Sequence, residues 1–421
     1  MSAPAISRHS LKDEKVQACP YAAYAELREA GPVSIDPVTG FYIVSRYDLL
    51  RQVLLDNKNF IAGKKEEIAI PDGKRARIQA EFESKGWVPG PSLGRYDEPD
   101  HSLVRSLFEE TFRASRVKEM DPFVGDVAAR LIDQFLPEGR CEIVRQFAVP
   151  LPMIVFGSQM GAKDEELPKI KEWTDAWVKR LGMMLTDEEE MQTVAKQIEA
   201  QHYFQPVIDR LRASPNDTLF SDMVNSIVPG WDRPLTDNEL HGHLMADTFV
   251  GGSETTANAI SAGVLLLIQN PDVWQQLKSD PDKHSKTFCE EVLRLESPVQ
   301  GLLRYVAADV ELGGVPIPEG SIVSVQYAAA NRDADHFPEP ECLSLARKNA
   351  GSHLAFGSGI HHCLGAPLAR RELYWAFNQL AKKVGELRLA PDQDELVYEP
   401  NLFLRRLTSL KVELTPAAQH P

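Results

Sequence analysis

The chain has 421 residues, and 43% of them are hydrophobic, enough for one large core. Lys and Arg number 46 against 61 Asp and Glu, a formal net charge of −15, which argues against nucleic acid as a partner. No run of about 18 apolar residues occurs, so no membrane-spanning helix is expected.

Residues 1–24 are polar, with Arg8, Lys12, Asp13, Glu14 and Lys15, and lack the apolar stretch of a signal peptide. A cytoplasmic protein is expected, with about residues 1–15 and 415–421 flexible around a single domain spanning 1–421. Tyr21, Tyr24 and Leu27 mark a short helix closed by Gly31-Pro32. Val33–Ile35 and Phe41–Val44 alternate around a turn and predict a hairpin, and Tyr47–Leu55 is helical again. Residues 61–100 read as irregular, and a loop that long in a compact domain is usually functional. His101 and Arg105 open the next helix on one face. From Val124 to Leu277 the pattern is mostly helical. Trp173, Trp177 and Leu181 form a stripe that reads as core, and the turn from Gly182 to Leu185 reads as either a plain connection or a lid.

Thr236 and Glu239 form a capping box at the start of a long helix that runs to Asn270-Pro271. Inside it stands Gly251-Gly252-Ser253-Glu254-Thr255-Thr256. Two helix-interior glycines cost about 1 kcal/mol each, so an acid and a hydroxyl placed just after them point to a purpose. A threonine there can bond a carbonyl one turn back and open the helix locally. Asp247 lies about two turns before Thr255 on the same face. It is either satisfied by a neighbouring helix or receives a donor group of a substrate. Glu291 and Arg294 pair at i, i+3.

Near the C-terminal end runs Phe356-Gly357-Ser358-Gly359-Ile360-His361-His362-Cys363-Leu364-Gly365, followed by a helical pattern with Pro367 in its first turn. Glycines allow φ > 0 and a close approach to a bulky group. A helix start next to Cys363 favours a thiolate. The other cysteines, 19, 141, 289 and 342, read as packing residues, and an odd, widely spaced set without a CxxC argues against disulfides.

This stretch matches Phe-Gly-x-Gly-x-His-x-Cys-x-Gly at every fixed position, and so resembles the haem loop of the cytochromes P450. The resemblance implies a mainly α fold with a small β-rich part. A haem b would lie between a long distal helix and the proximal cysteine loop. It makes Cys363 the thiolate ligand of the iron, with Phe356 shielding the sulfur and Gly252 and Gly365 close to the cofactor. His101, Arg105, Arg304 and His361 are implied as partners of the two haem propionates. Glu254 and Thr255 match the acid–alcohol pair that delivers protons to bound dioxygen. Glu291, Arg294 and Arg347 match a structural trio that braces the loop.

The implied activity is insertion of one oxygen atom from O2 into a small, mostly apolar substrate, by hydroxylation or O-dealkylation. Asp247, Val250, Gly251, Gln300, Leu302, Leu303 and Phe403 are the expected substrate wall. No flavin or iron–sulfur motif occurs, so electrons are expected from a ferredoxin and its NAD(P)H-dependent reductase, docking near Arg113, Arg116, Arg370 and Arg371 on a monomer. Two rivals are a peroxide-driven peroxygenase of the same fold, which Glu254-Thr255 argues against, and a non-catalytic haem-binding protein. A zinc site of His353, His361, His362 and Cys363 has poor tetrahedral geometry, because two of its histidines are adjacent.

Overall fold

The computed structural model describes residues 4–63, 72–112 and 114–418, without the side chains of residues 72, 110, 111 and 114. The fold is mainly helical, with the β-rich part set apart. That part is a six-stranded sheet in the order Ala5–Ile6, Ser34–Ile35, Tyr42–Val44, Ile322–Val325, Leu302–Val306 and Phe60–Ile61. The expected hairpin is present, with Ser34 opposite Ile43 and Ile35 opposite Tyr42. Asp36 builds its turn. Its buried carboxylate accepts the N–H groups of Val38 and Thr39 at 2.9 Å and of Leu11 at 2.8 Å. This corrects the expected loose N-terminal stretch: Leu11 is held by Asp36, and Ala5–Ile6 pairs in parallel with Ser34–Ile35. At the other end Lys411–Pro416 is a strand between Val384–Leu389 and Arg140–Glu142.

Helices Tyr21–Ala30 and Tyr47–Leu55 form where the apolar spacing places them. The stretch 61–100 departs from expectation, because it contains a helix, Asp72–Lys85. That helix is polar except at Ile78 and Phe82, one turn apart, which pack on Val194 and Ile198. Two anchors are too few to show a helical period before the partner surface is known. The partner is the long helix Asp187–Ala213, which starts at the capping box Thr186/Glu189.

Trp173 sits in the main core, 1% exposed. Trp177 packs both on this core and, with Leu181, on a small cluster of Val178, Val250 and Leu404. The turn after Leu181 is fastened to the C-terminal segment, since Leu402 donates its N–H to the carbonyl of Gly182 at 3.1 Å. Cys141 and Cys289 are buried as expected, whereas Cys19 and Cys342 are exposed.

The central helix begins at the Thr236/Glu239 capping box and ends at Gln269. It is α-helical over Asp237–His243, widens to a π-helix over Leu244–Glu254, and returns to α over Thr255–Gln269. Such widening is rare and gathers at functional sites. Among the described residues, no helix is long and apolar enough to cross a membrane.

Candidate active site

The cysteine loop is a chain of turns. Gly357 and Gly359 take φ of 69° and 70°, a conformation that side chains with a Cβ rarely adopt. These turns bring the N–H of Cys363 to the carbonyl of Phe356 at 2.8 Å. The sulfur lies just before helix Ala366–Lys383, which carries Pro367 in its first turn. Burial pushes the Cys363 thiol up; the N–H groups of Gly365 and Ala366, with Arg105 and Arg370, pull against burial without reversing it. The helix start therefore acts as expected, but desolvation of the bare sulfur is the larger effect.

The segment 331–344 that precedes the loop is pinned by a buried trio. Glu291 and Arg294 are both fully buried and meet at 2.6 Å, and Arg347 reaches Glu291 at 3.0 Å. Arg294 also donates to the carbonyls of Asn331, Pro340 and Cys342. Beside it, Glu290 turns the other way and holds Arg370 and His353. Helix Asp100–Phe112 reaches the loop through Arg105, which donates to the carbonyls of Ile360 and His362 at 3.2 and 3.0 Å. It also pairs with Glu109 at 2.9 Å. The expected propionate role of Arg105 thus meets a guanidinium already spent on this loop's backbone. His101 is 1% exposed, with its ring 4.4 Å from that of His361. Arg304 is 5% exposed, donates to the carbonyl of Leu303, and pairs with no carboxylate among the described residues.

On the central helix, the expected acid and alcohol point to different places. The Thr255 hydroxyl is half-buried and donates to the carbonyl of Gly251 at 3.3 Å. Glu254 is 2% exposed and turns toward helix Leu167–Leu181, where Lys171 and Thr174 each reach Oε1 at 2.9 Å. Lys171 also pairs with Asp175, and Asp175 with Arg406 at 2.6 Å, so alternating charges run from the buried acid outward. Nothing in sequence spacing ties residues 171, 174 and 406 to 254; folding alone brings them together.

A second acid went unnoticed in the sequence. Glu372 is 1% exposed, lies beside Thr256, and its carboxyl oxygens find no hydrogen-bond partner among the described residues. Burial pushes it up to about 8, against a small opposing pull from Thr256.

Gly252 is needed for a different contact than expected, because an added Cβ would meet the Phe156 ring at 2.6 Å. Gly251, its neighbour, is exposed. Asp247 does meet a neighbouring segment: its Oδ2 accepts the N–H of Leu93 and bonds His243 Nδ1, each at 2.7 Å. It latches the 86–96 segment to the central helix. A second tie lies about two turns earlier, where the Gly90 N–H donates to the Asn238 carbonyl and leaves no room for a Cβ on Gly242.

Gln300 is likewise taken up by the scaffold. Its amide bonds Tyr24 and the carbonyls of Glu296 and Ser297, which removes it from the expected substrate wall. Val250, Leu303 and Phe403 are buried, and Leu302 is half-buried on its strand. On the outer side, Arg370 and Arg371 are ion-paired with Glu290 and Asp121, so neither offers a free charge. Arg116 is half-buried, and Arg113 lies outside the described residues. No group of three or more His, Cys, Asp and Glu forms a metal-ligand cluster among the described residues, which leaves the zinc alternative without support.

The family model described as "Cytochrome P450" matches residues 39–404. "Cytochrome P450 107B1" of Saccharopolyspora erythraea is 33% identical over 401 residues, covering 92% of this chain and 93% of the relative. The "Vitamin D(3) 25-hydroxylase" of Pseudonocardia autotrophica is also 33% identical, covering 94% of each. Among solved structures, cytochrome P450 CYP109Q5 from Chondromyces apiculatus is similar with a TM-score of 0.83 and 30% identity, covering 97% of this chain and 99% of that one.

Proposed function

The chain belongs to the cytochrome P450 family and is a monooxygenase of it, and from that premise we propose that Cys363 is the proximal ligand of a haem b. Family membership implies the haem itself. Two buried groups support its seating. His101 has no hydrogen-bond partner on Nε2 among the described residues, and its Nδ1 faces only Glu98, at 3.6 Å. Arg304 is a buried cation without a carboxylate among those residues. A group that brings two carboxylates suits such a pair. His101, Arg304 and His361 hold the propionates in this reading, and Arg105 holds the loop.

When bound, the haem supplies an iron that takes O2 and two electrons and passes one oxygen atom to the substrate. Cys363 gives up its proton on ligation, and the N–H groups of Gly365 and Ala366 then stabilise the thiolate. Phe356 covers the sulfur and fixes its backbone through the Cys363 N–H. Thr255 would be free to lend its hydroxyl on the haem side by releasing the Gly251 carbonyl at 3.3 Å, a long bond that is easily exchanged. Glu254 serves as proton carrier between Lys171 on the outer side and Thr255 on the inner side. It does so by swinging from Lys171, so the chain of charges to Arg406 is its resting place. Asp247 acts by holding the 86–96 segment over the central helix, and Val250, Leu302 and Phe403 wall the substrate.

A small, mostly apolar substrate and electrons from a ferredoxin with its NAD(P)H-dependent reductase complete the reading. The observation that carries the proposal is the single cysteine presented by two left-handed glycines at a helix start, with N–H groups aimed at its sulfur. A carbon-monoxide difference spectrum of the reduced, haem-loaded protein tests it. The expected result is the red-shifted thiolate-type band, lost in Cys363→Ala; a histidine-type band in the wild type overturns it.

A further inference from the structure

Glu290 and Glu291 are neighbours on helix Pro281–Glu296, yet they serve different structures. Glu291 is consumed by Arg294 and Arg347. Glu290 reaches the other side of the helix, under the cysteine loop. Its carboxylate takes Arg370 in a fork, Nε at 2.7 Å and Nη2 at 3.1 Å, and also His353 Nε2 at 3.0 Å.

His353 Nδ1 accepts the N–H of Ala355 at 3.2 Å, which leaves its Nε2–H to donate to Glu290. The Arg370 guanidinium and the Glu290 carboxylate are the opposed charges of the cluster. Burial raises Glu290, but His353 and Arg370 together bring it down to about 2, so it stays ionised.

The cluster also touches the loop. The Arg370 guanidinium lies 4.6 Å from the centre of the Phe356 ring, and the His353 ring lies 5.8 Å from it. Phe356 in turn receives the N–H of Cys363. The charge of Arg370 is thus carried on the aromatic cover of the sulfur, and Glu290 cancels it there. A cation near the sulfur favours the reduced, more negative state of the site; cancelling it favours the oxidised state.

We propose that Glu290 is a positioning residue that sets the reduction potential of the bound haem by neutralising Arg370 beneath the Cys363 loop. The proposal rests on Cys363 as the iron ligand. The step it governs is the transfer of one electron from an external reductant, ferric iron becoming ferrous.

The test is a spectroscopic redox titration of the haem-loaded wild type, Glu290→Gln, Arg370→Gln and the double variant, with dithionite as reductant. Gln at 290 keeps the size and one acceptor oxygen, removes the charge and gives up one side of the fork. Each sample first gives a carbon-monoxide difference spectrum, which reports thiolate ligation whatever the potential. Solvent screens part of the effect, since the Arg370 side chain is 34% exposed. Glu290→Gln is expected to shift the ferrous-to-ferric ratio at fixed potential upward about tenfold, about 59 mV for a one-electron couple. Arg370→Gln is expected to shift it downward by a similar factor, and the double variant to return near the wild type.

A structural role alone would loosen the loop in both single variants and move them the same way. Equal-sign shifts, or none, with the thiolate band retained, overturn the proposal. If Glu290→Gln fails to load haem, Arg370→Gln decides by itself, and the absence of a downward shift overturns it. A wild type without the thiolate band removes the ligand assignment and this proposal with it.

Discussion

Glu372 shows how far one side chain can be pushed by its surroundings. Its carboxyl is 1% exposed, next to Thr256, and burial raises it from 4.5 to about 8. Folded, it keeps its proton until about pH 8, while the unfolded chain releases that proton near 4.5. Between those values the folded state binds more protons, so stability falls as pH rises through the window. Glu372→Gln keeps the shape and removes the titration. Its advantage over the wild type should be small at about pH 5 and reach roughly 2–4 kcal/mol at about pH 8. Urea unfolding of both proteins across this range checks it, and a difference that does not change with pH counts against the assignment. Glu254 is buried as deeply, but it has Lys171 and Thr174 as partners, and that pairing separates the two acids. Sequence alone could weigh neither, since burial and partners both come from other helices.

At the scale of elements, the central helix is held by the segments that cross it. Asp247 takes the Leu93 N–H at 2.7 Å, and Gly90 donates its N–H to the Asn238 carbonyl about two turns earlier. A hydrogen bond to a charged acceptor contributes about 1.5–3 kcal/mol to local stability. In Asp247→Ala the 86–96 segment should open more often, and the Leu93 amide should exchange with deuterium on the order of tenfold faster or more. Substrate affinity should then fall through the loosened segment, with haem content unchanged. Leu93 protection equal to the wild type would falsify the latch. Asp247 sits inside the π-helical stretch Leu244–Glu254, which ends next to Thr255, so the widened turns link the two. The Gly251-Gly252 pair signalled that the helix was unusual there. It gave no sign that the widening starts as early as Leu244, because Phe249 and Val250 look like ordinary helix core.

For the whole molecule, a haem held at Cys363 would join parts that are far apart in sequence. Glu291, Arg294 and Arg347 pin the segment 331–344 that precedes the cysteine loop, and Arg105 ties the loop to helix Asp100–Phe112. A ligand that binds only the folded chain stabilises it by about 2.7 kcal/mol when free ligand is a hundredfold above Kd. Haem-free protein should therefore unfold at a lower temperature than the loaded form, and His101→Ala should narrow the gap. Calorimetry of the two forms checks this; equal transition temperatures would argue against a haem that bridges these elements. The sequence by itself determined the Glu291–Arg294 pair, the capped helix starts and the hairpin, and it presented the cysteine loop and Glu254-Thr255 as candidates. Each is a local pattern, fixed by spacing, by turn chemistry or by a match over ten consecutive residues. Only the tertiary structure decided that Gln300 and Asp247 serve the scaffold, that Gly252 makes room for Phe156, and that Arg370 is cancelled by Glu290. The reason is physical: a polar side chain takes the nearest partner that folding supplies. Those partners lie tens to hundreds of residues away, where no local period records them.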